Sequence, residues 1–236
     1  ALRALESALL ARRHDLAAAV SADFGGRGRE ETLALQLFPL LNEIRHARRS
    51  LKQWMKPRRA RTQWQFWPGT GRILHEPLGV VGILAPWNYP IFLSLAPLAG
   101  VLAAGNHALL KPSELAPRTA ALIGDILSGI YPATYVSVVT GGPDVAAQVA
   151  RLPFDHLVFT GSTSVGRMVM KAASEHLVPV TLELGGKSPA IVHGSYSMER
   201  AAVRILTGKL YTAGQTCVAP DYVLVPEDRR DEFVEQ

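Results

Sequence analysis

At 236 residues, with 48% hydrophobic and 19% charged side chains, the chain has a globular composition and can bury one large α/β core or two smaller ones. Its long apolar run, Ile91 to Ala104, contains Pro97 and Gly100 and is too short to span a bilayer, and no secretory signal pattern opens the chain. A single cysteine, Cys217, makes no intramolecular disulfide and removes the motive for an oxidising compartment, so the cytoplasm is the expected location.

Leu2, Leu5, Leu9, Leu16 and Val20 recur at helical spacing and predict a helix over Leu2 to Val20, broken by Gly25, Gly26 and Gly28. A second helix is expected from about Glu30 to Lys56, with Leu33, Leu37, Leu40, Leu41 and Ile44 on one stripe and Pro57 at its end. The formal charge of +5 is concentrated around it, in Arg45, Arg48, Arg49, Lys52, Lys56, Arg58, Arg59 and Arg61, with Trp54, Trp64 and Trp67 nearby. A basic, aromatic-rich module that binds nucleic acid is one reading. The other is a solvated helix face followed by an arm that packs on another subunit. The three- and four-residue spacing of Arg45, Arg48, Arg49 and Lys52, with no nucleic-acid motif beside it, favours the second. Residues 62–76 read as an extended hairpin: Trp64 and Phe66, a turn at Pro68-Gly69-Thr70-Gly71, then Ile73 and Leu74.

From Leu78 onward short apolar runs alternate with helix-length stretches. The runs are Val80–Leu84, Ala108–Leu110, Tyr135–Val139, His156–Phe159 and Val178–Leu184; the helices are expected at Ile91–Ala104, Arg118–Ile130, Asp144–Ala150 and Val165–Ser174. This alternation predicts an α/β fold with a parallel sheet and helices on both faces. Ligands of open α/β sheets bind beyond the carboxyl ends of the strands. Here those ends lead into Pro86-Trp87-Asn88-Tyr89-Pro90, Lys111-Pro112-Ser113-Glu114, Thr140-Gly141-Gly142, Gly161-Ser162-Thr163-Ser164-Val165-Gly166 and Gly185-Gly186-Lys187. Turns alone account for the Gly and Pro, but not for Asn88, Lys111, Glu114 and Glu183.

Each of these groups has a chemical and a plain structural reading. Gly161 to Gly166 sits where a helix N-terminus would receive a pyrophosphate, though Thr163 replaces the middle glycine of the usual pattern; Ser162 or Thr163 is equally a helix cap. Lys111 and Glu114 either hold a ribose diol or form an ordinary ion pair. Strand alternation separates Val178, Val180, Leu182 and Leu184 from Thr181 and Glu183, and a partly buried Glu183 would have a raised pKa suited to general-base work. Asn88 in a tight loop either donates to an oxyanion, worth roughly 3 kcal/mol in catalysis, or serves local turn hydrogen bonding. Cys217 is either a small hydrophobe or a nucleophile. The seven histidines lack metal-ligand spacing, and no metal is expected.

Taken in order, Pro86-Trp87-Asn88-Tyr89-Pro90, Lys111-Pro112-Ser113-Glu114, Phe159 to Gly166, Leu182-Glu183-Leu184-Gly185-Gly186-Lys187 and Gly214-Gln215-Thr216-Cys217 resemble the signatures of the NAD(P)-dependent aldehyde dehydrogenases. Gln215 to Tyr222 and the short amino-terminal part look most like the class 3 branch, which includes fatty, aromatic and coniferyl aldehyde dehydrogenases. The resemblance implies a Rossmann-like cofactor domain and the start of a second α/β catalytic domain. Residues 1–61 would be its amino-terminal helices, 62–77 an oligomerisation arm, 78–184 the dinucleotide-binding part and 185–236 the beginning of the catalytic domain. It also implies the roles. Cys217 would attack the aldehyde carbon, Asn88 and the Cys217 N–H would hold the oxyanion, and Glu183 would activate water to release the acid. Lys111 and Glu114 would hold the adenosine ribose, with Ser162 near the pyrophosphate and Pro86, Trp87, Gly161, Gly166, Leu184 and Gly185 also at the cofactor. Glu114 favours NAD, while Lys111 tolerates NADP. Glu183 argues against the acyl-CoA-forming branch, and intact Asn88, Glu183 and Cys217 argue against a non-catalytic assembly relative. Homodimers of the full-length protein are expected. Family members are considerably longer and carry a later Glu-x-Phe-Gly-Pro motif that this sequence does not contain, so the chain reads as a fragment with little activity alone.

Overall fold

The computed structural model describes residues 1–236. The amino-terminal region forms α1 (Leu2–Ala11), α2 (Arg13–Asp23), α3 (Arg29–Thr32) and α4 (Phe38–Trp54), with a π turn at Leu33–Leu37 joining the last two. The first predicted helix is therefore split: at Arg12 the backbone leaves the helical region, and the Arg12 guanidinium pairs with Asp15 at 2.6 Å and Asp125 at 3.0 Å. The π turn lies just before Pro39, which has no N–H to continue a regular ladder. Arg45 donates to Glu6 Oε1 at 2.7 Å and Arg48 to Glu6 Oε2, so two members of the basic cluster are spent on fastening α4 to α1.

The hairpin is displaced from its expected strands. β1 (Arg58–Ala60) pairs antiparallel with β2 (Gly71–Ile73), while Trp64–Phe66 form a 3₁₀ turn in the connecting loop. Gly71 sits against Ala60, where an added Cβ would meet the Ala60 carbonyl at 3.2 Å; this close approach sets the register. Trp64, Phe66 and Trp67 are exposed.

The main sheet contains β3 (Val80–Leu84), β4 (His107–Lys111), β5 (Val136–Val138), β6 (His156–Gly161) and β7 (Val180–Leu184), all parallel, in the spatial order β5-β4-β3-β6-β7. The chain builds outward from β3 to β5, then returns across β3 to build β6 and β7, so the sheet is doubly wound. Crossovers are α5 (Pro90–Ala103), α6 (Pro117–Ser128), α7 (Pro143–Val149) and α8 (Thr163–Ala173).

Strand alternation divides the core. Val81, Ile83, Ala108, Leu110 and Val136 face α5 and α6, with the amino-terminal helices packed outside them. Leu84, Leu157 and Phe159 face α7 and α8 through Val149, Val169 and Ala173. Asp23, at the end of α2, caps α6 from a distance: its carboxylate accepts the N–H groups of Arg118 at 3.0 Å and Thr119 at 2.8 Å. Beyond β7, β8 (Ser188–Ile191) and β9 (Pro220–Leu224) form a separate parallel pair with a small core of Val192, Met198 and Ala201, against α9 (Met198–Leu210). α10 (Arg230–Val234) ends the chain. No helix is long and apolar enough to cross a membrane.

The hydrogen bond from Arg45 holds the largely buried Glu6 carboxyl below its usual range, against the opposing effect of burial, with Arg48 adding to the lowering. A lowered folded-state pKa contributes stability above the ordinary carboxylate range and loses it as the pH falls. Glu6→Gln is therefore expected to cost about 1–2 kcal/mol at neutral pH, a difference that shrinks in acid as the Glu6 carboxyl is protonated. Urea denaturation at neutral and acidic pH checks this.

Candidate functional site

The switch of winding direction lies between β3 and β6, the position where a ligand crevice forms in such sheets, and the candidate residues follow the strand ends around it. Leu84 is in register with Lys111 on one side and Phe159 on the other, so β3 and β4 end level while β6 runs two residues further, to Gly161 opposite Leu184. Pro86, Trp87 and Asn88 follow β3, Lys111 ends β4, and Glu114 lies one turn beyond it. Gly161 ends β6, Ser162 caps α8, and Gly166 lies in its first turn. Leu184 ends β7, and Gly185 leads away from it.

Lys111 is 3% exposed and its ammonium donates to Glu114 Oε2 at 2.5 Å. Glu114 is desolvated, which raises its pKa, but the Lys111 hydrogen bond and charge, with a local backbone bond, more than offset this and leave it lowered. The pair is thus a buried cation held by a carboxylate that still reaches the surface. Such a pair presents both a donor and an acceptor to a polar ligand at the strand end.

The Ser162 hydroxyl accepts the Val165 N–H at 3.3 Å and its carbonyl accepts the Gly166 N–H at 2.9 Å, a regular N-cap. At Gly166 an added Cβ would lie 2.8 Å from Leu184, and at Gly161 it would lie 2.5 Å from the Phe159 ring. The two glycines let the start of α8 close down on β6 and β7, so the helix N-terminus sits directly above the strand ends.

Cys217 is exposed and follows a left-handed turn formed by Thr212 (φ 53°), Ala213 (φ 52°) and Gly214 (φ 78°). Its own N–H is bonded to no group of the chain. The loop that carries it is docked on the loop after β3: Asn88 Nδ2 donates to the Gln215 carbonyl at 2.7 Å, and the Tyr89 hydroxyl meets Thr216 Oγ1 at 2.8 Å. Asn88 and the Cys217 loop are therefore brought together. Its amide has a second N–H beyond the one given to Gln215.

Glu183 is not brought into this network. It stands opposite Thr160 in β6, and the expected partial burial is not found, because β7 is the outermost strand and Thr181 and Glu183 point to the face that α5 and α6 leave uncovered. Its side chain is exposed and makes no hydrogen bond within the chain.

Sequence reasoning missed the residues that brace the site from the amino-terminal region. The half-buried Arg27 donates to the Asn88 carbonyl at 2.9 Å while lying 3.7 Å over the Phe24 ring, and Phe24 in turn packs on Trp87. Desolvation lowers the Arg27 pKa, with Glu31 and Tyr89 opposing it. Glu31 accepts the Thr212 N–H at 2.6 Å, and Gln36 accepts the Ile91 N–H at 3.0 Å in the first turn of α5. Gln36 offered a signal, being a polar side chain on the apolar stripe that includes Leu33, Leu37 and Leu40. Arg27 and Glu31 offered none.

A doubly wound α/β domain whose strand ends carry Asn88, Lys111 and Ser162, with a cysteine loop docked on the loop after β3, is a specific combination. The chain belongs to the aldehyde dehydrogenase family, whose profile, described as "Aldehyde dehydrogenase family", matches residues 1–236. It is 52% identical over 235 residues to a probable coniferyl aldehyde dehydrogenase of Pseudomonas aeruginosa, covering 100% of this chain and 49% of that protein. It is 48% identical over 227 residues to a coniferyl aldehyde dehydrogenase of a Pseudomonas species, covering 96% of this chain and 47% of that one. The structure of Staphylococcus aureus AldH in a substrate-bound state superposes with a TM-score of 0.95 at 42% identity, over 99% of this chain and 51% of that chain. A Mycobacterium tuberculosis aldehyde dehydrogenase complexed with NAD+ superposes with a TM-score of 0.90 at 29% identity, over 99% and 48%. The chain thus spans about half the length of the curated relatives it matches.

Glu114→Ala leaves the buried Lys111 ammonium without its carboxylate and is expected to cost about 1–2 kcal/mol near neutral pH, discounted for the exposed side of the pair. Because the Glu114 pKa is lowered, the difference from wild type shrinks on acidification. Thermal unfolding of both proteins across that range measures it.

Proposed function

We propose that this chain contributes the cofactor domain and the nucleophile of an enzyme that oxidises an aldehyde to a carboxylic acid with NAD(P)+. The observation that carries the reading is the 2.7 Å bond from the Asn88 amide to the carbonyl of Gln215, two residues before Cys217, which sets a side-chain donor beside the cysteine loop.

The crevice fits a dinucleotide. Lys111 and Glu114 offer the donor and acceptor a ribose diol needs, and the amides at the start of α8, brought close by Gly161 and Gly166, suit a pyrophosphate. Pro86, Trp87, Leu184 and Gly185 line the remaining strand ends. The nicotinamide, when bound, supplies the hydride acceptor. Glu114 favours an unmodified ribose and hence NAD, and Lys111 leaves room for NADP.

In this mechanism the Cys217 thiolate attacks the aldehyde carbon, and the former carbonyl oxygen becomes an oxyanion. The free N–H of Cys217 and the second N–H of Asn88 stabilise it. After hydride loss the substrate remains on Cys217 as a thioester. Glu183 takes a proton from water, the resulting hydroxide attacks the thioester carbon, and the acid departs as the thiolate is restored. Glu183 is exposed to solvent and held by no partner within the chain, which leaves its carboxylate free to act as that base. The coniferyl aldehyde dehydrogenases among the relatives make aryl aldehydes the substrates to test first. The exposed Trp64, Phe66 and Trp67 on the β1–β2 arm suit a homodimer contact.

In the complete gene product, Cys217→Ala is expected to abolish NADH formation. Glu183→Gln is expected to give a burst of about one NADH per active site, followed by turnover reduced roughly 10²- to 10⁴-fold. Stopped-flow absorbance resolves the two, and normal turnover of Cys217→Ala would overturn the assignment.

A further inference from the structure

Thr212, which begins the left-handed turn before Cys217, is buried and tied to two residues distant in sequence, Glu31 and Tyr89. Left-handed backbone at Thr212 and Ala213 costs roughly 1 kcal/mol or more per residue and persists only where the surroundings hold it. The hold is visible. Glu31 Oε1 accepts the Thr212 N–H at 2.6 Å and lies 3.3 Å from Thr212 Oγ1, which is itself 3.0 Å from the Tyr89 hydroxyl. Tyr89 then meets Thr216 at 2.8 Å.

A threonine hydroxyl has one hydrogen, and a carboxylate can only accept. The one hydroxyl hydrogen of Thr212 is therefore shared between two acceptors, the Tyr89 hydroxyl at 3.0 Å and Glu31 Oε1 at 3.3 Å, while the backbone N–H is given wholly to Glu31. A row of bonded groups thus runs from Glu31 through Thr212 and Tyr89 to Thr216, the residue before Cys217. A second path leaves the same threonine: its carbonyl accepts the Gln215 N–H at 3.0 Å, and the Gln215 carbonyl accepts the Asn88 amide. Four residues before Glu31, Arg27 holds the Asn88 carbonyl. One short amino-terminal segment thus grips both partners of the oxyanion site.

We infer that Glu31 is a positioning residue for Cys217, acting through Thr212 to hold the cysteine loop in register with Asn88. It touches neither the sulfur nor the crevice. The inference rests on the reading of Cys217 as the nucleophile, and the experiment separates the two.

In the complete gene product, Glu31→Ala, Glu31→Gln and Thr212→Val are compared by hydrogen–deuterium exchange of the peptide spanning Thr212 to Cys217 and by kcat and KM. Glu31→Ala is expected to speed exchange in that peptide about 10-fold, and to lower kcat about 10- to 100-fold with KM for NAD+ within about two-fold of wild type, since Lys111 and Glu114 are untouched. Glu31→Gln, whose amide oxygen still accepts, restores most of both. Wild-type exchange in a folded Glu31→Ala protein, or faster exchange with unchanged kcat, overturns the inference. If Glu31→Ala does not fold, Thr212→Val, which keeps its N–H to Glu31 but loses the hydroxyl row, decides: a normal kcat overturns the inference and a lowered kcat at unchanged KM supports it. Activity remaining in Cys217→Ala would remove the nucleophile reading, while the exchange data would still decide the grip of Glu31.

Discussion

The hydrogen bond between the Asn88 amide and the Gln215 carbonyl joins residues 127 positions apart and brings the cysteine loop to the switch point of the sheet. Everything on either side of it serves to make it possible. Asn88 lies between β3 and α5, where the central strand ends and Pro90 starts the helix. Gln36 caps that helix and Arg27 holds the Asn88 carbonyl, so the loop has little freedom to withdraw. On the other side, the left-handed turn at Thr212 to Gly214 reverses the chain after α9 and points the following residues back toward Asn88.

The charged groups of the interior, at the strand ends and elsewhere, follow one rule: a buried charge needs a partner. Lys111 has Glu114, Arg27 has the Asn88 carbonyl and an aromatic face, and the Glu6 carboxylate has two arginines. In the proposed reading the partnered cation at the end of β4 serves both the strand end and the cofactor. Glu114 holds the ammonium at the strand end, and both groups remain polar toward a ligand.

Much of the fold was legible in the sequence because it is written in local periodicity. Val80–Leu84 is a strand over the residues expected, and the helices of the sheet start at Pro90, Pro117, Pro143 and Thr163, close to where the apolar runs and turn residues place them. Asn88, Lys111, Glu114 and Ser162 were legible as candidates because they follow strand ends in a parallel sheet. The errors have physical causes. Trp64 and Phe66 suggested strand by type, but the ladder formed at Arg58–Ala60, leaving the aromatics in the loop. Glu183 looked inward because its strand is apolar, yet strand order put β7 at the edge. Arg27 and Glu31 act through bonds spanning 61 and 181 positions, which no local pattern can show.

The proposed function turns on one chemical event, transient attachment of the substrate to Cys217, and family membership, the doubly wound sheet and the docked cysteine loop are its support. The most direct test is acid-quench mass spectrometry of the complete gene product mixed with an aryl aldehyde and NAD+, with the peptide carrying Cys217 mapped after digestion. The account predicts an acyl group on Cys217 that forms only when both reactants are present. Steady aldehyde oxidation with the Cys217 peptide unmodified at every quench time, or with the acyl group on another residue, would contradict it.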